Sequence, residues 1–113
     1  MIRMILVLTV LAVPTAATEW RKLNDEEIQQ ALASRVLQYS SATQNFFADG
    51  RTLYEQGQPR WGRWLVSGDR YCSVWPPSSE WTCYDLEQHE RGLMVRFVSD
   101  SGTITKGVYI DLN

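Results

Sequence analysis

Gly62-Arg63-Trp64-Leu65-Val66-Ser67, then Gly68-Asp69, then Arg70-Tyr71-Cys72-Ser73-Val74-Trp75: this stretch decides the fold. Two short segments rich in β-branched and aromatic residues meet at a Gly-Asp pair, the signature of a tight turn between antiparallel neighbours. Trp64 and Val66 fall on one face of the first segment with Arg63 opposite, as a half-buried strand requires. The same grammar extends in both directions. Turn signals recur at Asp49-Gly50, Gly57-Gln58-Pro59, Pro76-Pro77-Ser78-Ser79, Glu90-Arg91-Gly92 and Ser101-Gly102. Between them lie further strand candidates: Val36–Tyr39, Gln44–Phe47, Thr52–Glu55, Trp81–Glu87, Leu93–Ser99 and Thr103–Asp111. A spacing of about ten residues predicts a meandering antiparallel sheet. Leu93, Val95 and Phe97 share a face. Around Cys83 the alternation is ambiguous, because Trp81 and Asp85 share its face while Tyr84 and Leu86 take the other; either both faces are covered there or a bulge shifts the phase.

One helix is signalled, over residues 25 to 33. Asn24 is a good N-cap, Asp25 and Glu26 suit the positive helix start, and Glu27 stands at the capping-box position. Leu23 and Ile28 are spaced as a hydrophobic staple, and Ile28, Ala31, Leu32 and Val36 recur at helical intervals. No second helix interrupts the strands, so parallel pairing is not expected. The fold class is therefore α+β and mostly β: one N-terminal helix packed on a strongly curved antiparallel sheet, or small barrel, of about 6–8 short strands.

The chain has 113 residues, 44% hydrophobic and 21% charged, a globular balance too apolar for disorder. Met1 to Ala17 has the form of an export signal: a short basic start with Arg3, the apolar run Ile5 to Val13, and small residues up to a cleavage point after Ala17. Nine apolar residues reach only ~14 Å as a helix, too short to span a bilayer. Residues 18–113 then form a single domain, periplasmic or secreted, with no membrane anchor after cleavage. The formal net charge of -2 becomes one unit more negative when Arg3 leaves; nothing favours a polyanion, so nucleic acid is not an expected partner. Cys72 and Cys83 are the only cysteines, and in an exported small domain an even count reads as one disulfide. Closing that loop is worth about 3 kcal/mol by loop entropy.

The segments Phe46-Phe47-Ala48-Asp49-Gly50, Trp61-Gly62-Arg63-Trp64 through Trp75-Pro76-Pro77, and Trp81-Thr82-Cys83-Tyr84 together resemble a group of small exported bacterial proteins. That group has an aromatic-x-Asp-Gly turn, a Gly-x-Trp strand, a Gly-Asp turn and two flanking cysteines. The resemblance covers most of the mature chain and implies a helix followed by an antiparallel sheet, export and a disulfide. Some members carry the label dihydrodipicolinate reductase. That chemistry needs a Gly-rich phosphate loop between a strand and a helix, and the seven glycines here form no Gly-x-Gly-x-x-Gly run.

No cofactor is therefore expected. Neither is a metal, since His89, the one histidine, lacks the companions of a zinc site. His89 lies in a polar run and reads as a solvated turn residue, and Asp49 and Asp69 read as turn residues. No catalytic set is apparent. What stands out is the density of aromatic and basic residues. Four of the five tryptophans fall between residues 61 and 81 with arginines interleaved, the residue types that dominate binding hot spots. Arg60, Trp61, Arg63, Trp75 and Trp81 form the candidate contact surface, with Trp61 the best candidate for exposure. Trp64, Trp75 and Trp81 read equally as bulk for a thin core. The functional expectation is a non-catalytic exported module binding an envelope protein, or alternatively a small ligand or glycan; an enzyme, as the reductase label has it, is the second alternative and lacks support from the residues.

Overall fold

In the computed structural model, which describes residues 3–9 and 19–112, the helix begins where its capping residues dictate. Helix α1 spans Asp25–Leu32. Asn24 Oδ1 accepts from the Glu27 amide at 2.9 Å, and Glu27 Oε1 accepts from the Asn24 amide at 3.1 Å, the reciprocal capping box. Leu23, Ile28, Ala31 and Leu32 are buried. Val36 does not continue this face. Ser34 turns the chain at φ 62°, a conformation that stops a helix, and Val36 belongs to the next strand. The proposed cleavage point after Ala17 lies outside the described residues.

Nine strands follow one another: β1 (Trp20–Lys22), then after α1, β2 (Arg35–Gln38), β3 (Thr43–Phe46), β4 (Arg51–Glu55), β5 (Pro59–Ser67), β6 (Arg70–Val74), β7 (Thr82–His89), β8 (Met94–Val98) and β9 (Ile104–Tyr109). All pairings are antiparallel. From β2 to β9 each strand pairs with the next, and β9 returns to β2 through Leu37↔Tyr109 and Gln38↔Val108. The sheet is thus a closed up-and-down barrel of eight strands. β1 adds to β7 beyond the end of β6, through Trp20↔His89 to Lys22↔Glu87.

Strand alternation fills one half of the barrel. Leu37, Phe46, Trp64, Leu86, Val95 and Tyr109 point inward and meet Leu23, Ile28 and Leu32 from the helix segment. Two contacts hold α1 across that end. The Tyr109 hydroxyl donates to the Ala31 carbonyl at 2.6 Å. Asp25 and Asp69 each accept the other's backbone amide, at 2.6 and 2.9 Å, so the turn residue Asp69 also anchors the helix start. The ambiguity at Cys83 resolves without a bulge: Tyr84 faces inward beside buried Leu86, and Cys83 faces outward. There it is bonded to Cys72, its direct partner across β6 and β7. Leu93 departs from expectation. It precedes β8 and is exposed, while Val95 and Phe97 are buried. His89 departs too. Its side chain is largely covered, packed edge-on against Trp20 with ring centroids 5.1 Å apart.

Candidate functional site: the open mouth of the barrel

The end opposite α1 is not filled. An eight-stranded barrel is just wide enough to be packed by side chains or to hold one small ligand. Here the inward residues near the β2–β3, β4–β5 and β8–β9 turns leave a hollow of about 300 Å³. Its aromatic wall is Tyr39, Tyr54, Tyr71, Tyr84 and Phe97, completed by Gln44, Ser40, Ser41 and Thr105. A second hollow of about 340 Å³ shares Gln44 and Tyr54 and continues to Gln56, Arg60 and Trp75.

Gln44 organises the floor. Buried in the barrel, its Oε1 accepts from the Tyr39 hydroxyl at 2.7 Å, and its Nε2 donates to Thr52 Oγ1 at 2.9 Å and to the Tyr71 hydroxyl oxygen at 3.4 Å. Thr52, fully buried, donates onward to the Asn45 carbonyl at 2.7 Å. The amide's donors and acceptor are all engaged, so the side chain is fixed and satisfied. Burial pushes the Tyr71 hydroxyl up to about 12, and burial followed by the neighbouring phenols pushes Tyr39 well above its ordinary range. Both stay protonated at physiological pH. The tyrosine-lined hollow therefore presents neutral hydroxyl and amide groups set among aromatic faces.

The rim is set by a glycine. A β-carbon on Gly62 would lie 2.5 Å from the Trp75 ring. With no side chain there, the indole lies flat against the strand backbone. It meets Tyr54 edge-on at 6.0 Å, and the Arg60 guanidinium lies over it at 5.3 Å. Gly107 does the same for Tyr39, whose ring comes within 3.0 Å of where a β-carbon would stand.

The five residues of the candidate contact surface do not form one surface, because β5 alternates. Arg60 and Trp75 belong to the mouth. Trp61 and Arg63 point outward beside Arg51, where they line a groove of about 370 Å³ with Pro76. Trp61 is 49% exposed and stacks on Phe47 at 5.8 Å, with Arg51 5.4 Å from both rings. Trp81 is exposed in the loop after β6 and lines neither hollow. Trp64 is core: buried, edge-on to Phe46, its indole N–H donating to the Phe47 carbonyl at 2.9 Å. The tyrosines were missed by sequence reasoning. The signal available was their parity: Tyr54 shares a face with Thr52, Tyr71 with Ser73 and Tyr84 with Leu86, all buried.

No protein-family model, curated protein or solved structure matches this chain.

Proposed function

We propose that this protein is a non-catalytic exported binding module that takes a small ligand into the open mouth of its barrel. One observation carries the reading. The barrel is plugged at one end by α1, while at the other a hollow of about 300 Å³ is walled by four tyrosines and a phenylalanine around a fixed glutamine. Concave sites with apolar walls and a few convergent polar groups are the usual form of small-molecule sites. Tyrosine faces stack on sugar or aromatic rings, and the phenol edges supply hydrogen bonds. The lining holds no histidine, cysteine or carboxylate to pair with Ser40 or Ser41, so it supports binding rather than nucleophilic catalysis.

Amide-resolved NMR titration with a library of monosaccharides and monocyclic aromatics tests the proposal. Perturbations from a binder cluster at Gln44, Tyr54, Tyr71 and Thr105, and Thr105→Trp, which fills the mouth from an exposed lining position, abolishes them. Perturbations that lie elsewhere, or that survive Thr105→Trp, refute it.

A second reading, docking of an envelope protein, rests on a separate observation. Trp61 is exposed beside Arg63 on the outer face, stacked on Phe47 and flanked by Arg51. Exposed Trp and Arg are common anchors of protein interfaces.

A further inference from the structure

Resting on the mouth-binding reading, we propose that the ligand is a single-ring molecule bearing one carboxylate: the ring enters the tyrosine-lined hollow and the carboxylate pairs with Arg60 at the rim. The charge distribution carries this. Every residue lining the inner hollow is uncharged. The outer hollow is lined by Gln44, Tyr54, Gln56, Trp75 and one formal charge, Arg60. Placing a charge among the inner residues would cost desolvation with no opposite charge to offset it, so the ligand's body is neutral. Among the described residues, Arg60 makes no ion pair, as Arg63 and Arg91 make none, but of these three it alone lines the mouth. Its guanidinium instead lies over the Trp75 ring. A guanidinium held beside an indole with no carboxylate partner keeps its N–H donors free for an incoming carboxylate, which it can meet with two parallel hydrogen bonds. Trp75 in turn is held down by the absent side chain of Gly62 and by Tyr54. Tyr54 lines both hollows, so a ring inside and an anion at the rim are one residue apart. Arg60 thus stands at the rim of the mouth against an indole, with no carboxylate among the described residues to occupy it.

The experiment uses two shape-matched pairs of probes that differ in charge, D-glucuronate against D-glucose and benzoate against benzyl alcohol, titrated calorimetrically into the wild type, Arg60→Gln and Thr105→Trp. In the wild type the acid of at least one pair binds about tenfold or more tightly than its neutral partner, the scale of a charge-assisted bidentate contact; which pair responds tells a sugar acid from an aromatic acid. In Arg60→Gln the acid falls to the affinity of its neutral partner, while the protein stays folded and melts only a few degrees lower, because Arg60 is exposed and its one ring contact is weak. An acid preference that survives Arg60→Gln overturns the inference. So does a neutral probe that binds as tightly as its acid and is lost in Thr105→Trp, an outcome that leaves mouth binding intact. If none of the four probes binds the wild type, mouth binding and this inference fall together.

Discussion

Gly62→Ala tests whether the mouth is built as described, because it puts a methyl group where Trp75 now lies. Gly62 is not at positive φ, so alanine meets no backbone penalty there; in a strand interior the exchange alone would stabilise by about 0.5–1 kcal/mol. Against this, the new β-carbon would stand 2.5, 2.8 and 2.9 Å from three ring carbons of Trp75, well inside the ~3.5 Å of ordinary carbon contact. The indole must slide or swing out. Swinging out forfeits the edge contact with Tyr54, about 0.5–1.5 kcal/mol, and the Arg60 stacking, about 0.5–1 kcal/mol. It also re-exposes roughly 100 Å² of half-buried ring, about 2.5 kcal/mol. Partial sliding recovers some of this, so the net loss is about 2 kcal/mol, a fall in melting temperature on the order of 10 °C for a domain this small. Near-ultraviolet circular dichroism should lose intensity as the indole becomes mobile. In a Trp75→Ala background the collision is gone, and Gly62→Ala should become neutral or stabilising by about 0.5 kcal/mol, a coupling that a double-mutant cycle isolates. The reasoning is refuted if Gly62→Ala melts at or above the wild type, or if it costs as much without Trp75 as with it.

Trp64→Ala should destabilise by about 3–5 kcal/mol, while Trp61→Ala should stay within about 0.5 kcal/mol of wild type; thermal melts of the two variants check the assignment of core and outer face, and pull-down of envelope proteins with the folded Trp61 variant tests the docking reading. Stability should also fall at alkaline pH. The Tyr71 hydroxyl is raised in the fold from about 10 to about 12, so the native state holds its proton more tightly than the unfolded chain. Its contribution is complete below pH 10 and is lost as pH rises between 10 and 12, a total loss of about 3 kcal/mol. Absorbance at the phenolate band should show tyrosines that ionise only with unfolding, and Tyr71→Phe should flatten that limb of the stability curve.

The local elements were legible because their causes are local. The capping box needs only Asn24 and Glu27, and each long strand carries its own alternation and its own turn. Eight of the nine strands are read from sequence to within a few residues. The exception, β1, has three residues, too few to show a period, and exists because β7 outruns β6 and leaves Glu87 to His89 unpaired on that side. Closure was not legible either. It rests on the pairing of Leu37 with Tyr109 and Gln38 with Val108, a contact between chain ends that no spacing rule specifies. The site followed closure out of reach. Tyr54, Tyr71 and Tyr84 sit on three strands and Tyr39 directly after β2, and only the barrel turns four separate positions into one wall. The tryptophan cluster divides between the mouth, the outer face and the core for a related reason: density along the chain is not density in space when alternate residues of β5 face opposite ways.

The two halves of the barrel interior are built differently, one packed and one open, and the difference explains how the mouth can stay open. A small domain buries limited apolar surface, and here it concentrates in the half closed by α1, where Leu23, Ile28, Leu32, Leu37, Phe46, Leu86 and Val95 are almost wholly inaccessible. The other half lacks that filling and needs support from outside. The disulfide supplies it at a particular place. Cys72 is next to Tyr71 and Cys83 next to Tyr84, and Tyr71 and Tyr84 face each other in register on the inner side of the same two strands. A covalent bond on the outer face therefore fixes the separation of two tyrosines on the inner face, one residue away. Gln44 fixes Tyr39 and Tyr71 by hydrogen bonds, and Gly62 and Trp75 fix the rim by fit. Covalent, polar and steric constraints thus converge on the residues that line the hollow, and a wall ordered before the ligand arrives loses little entropy on binding.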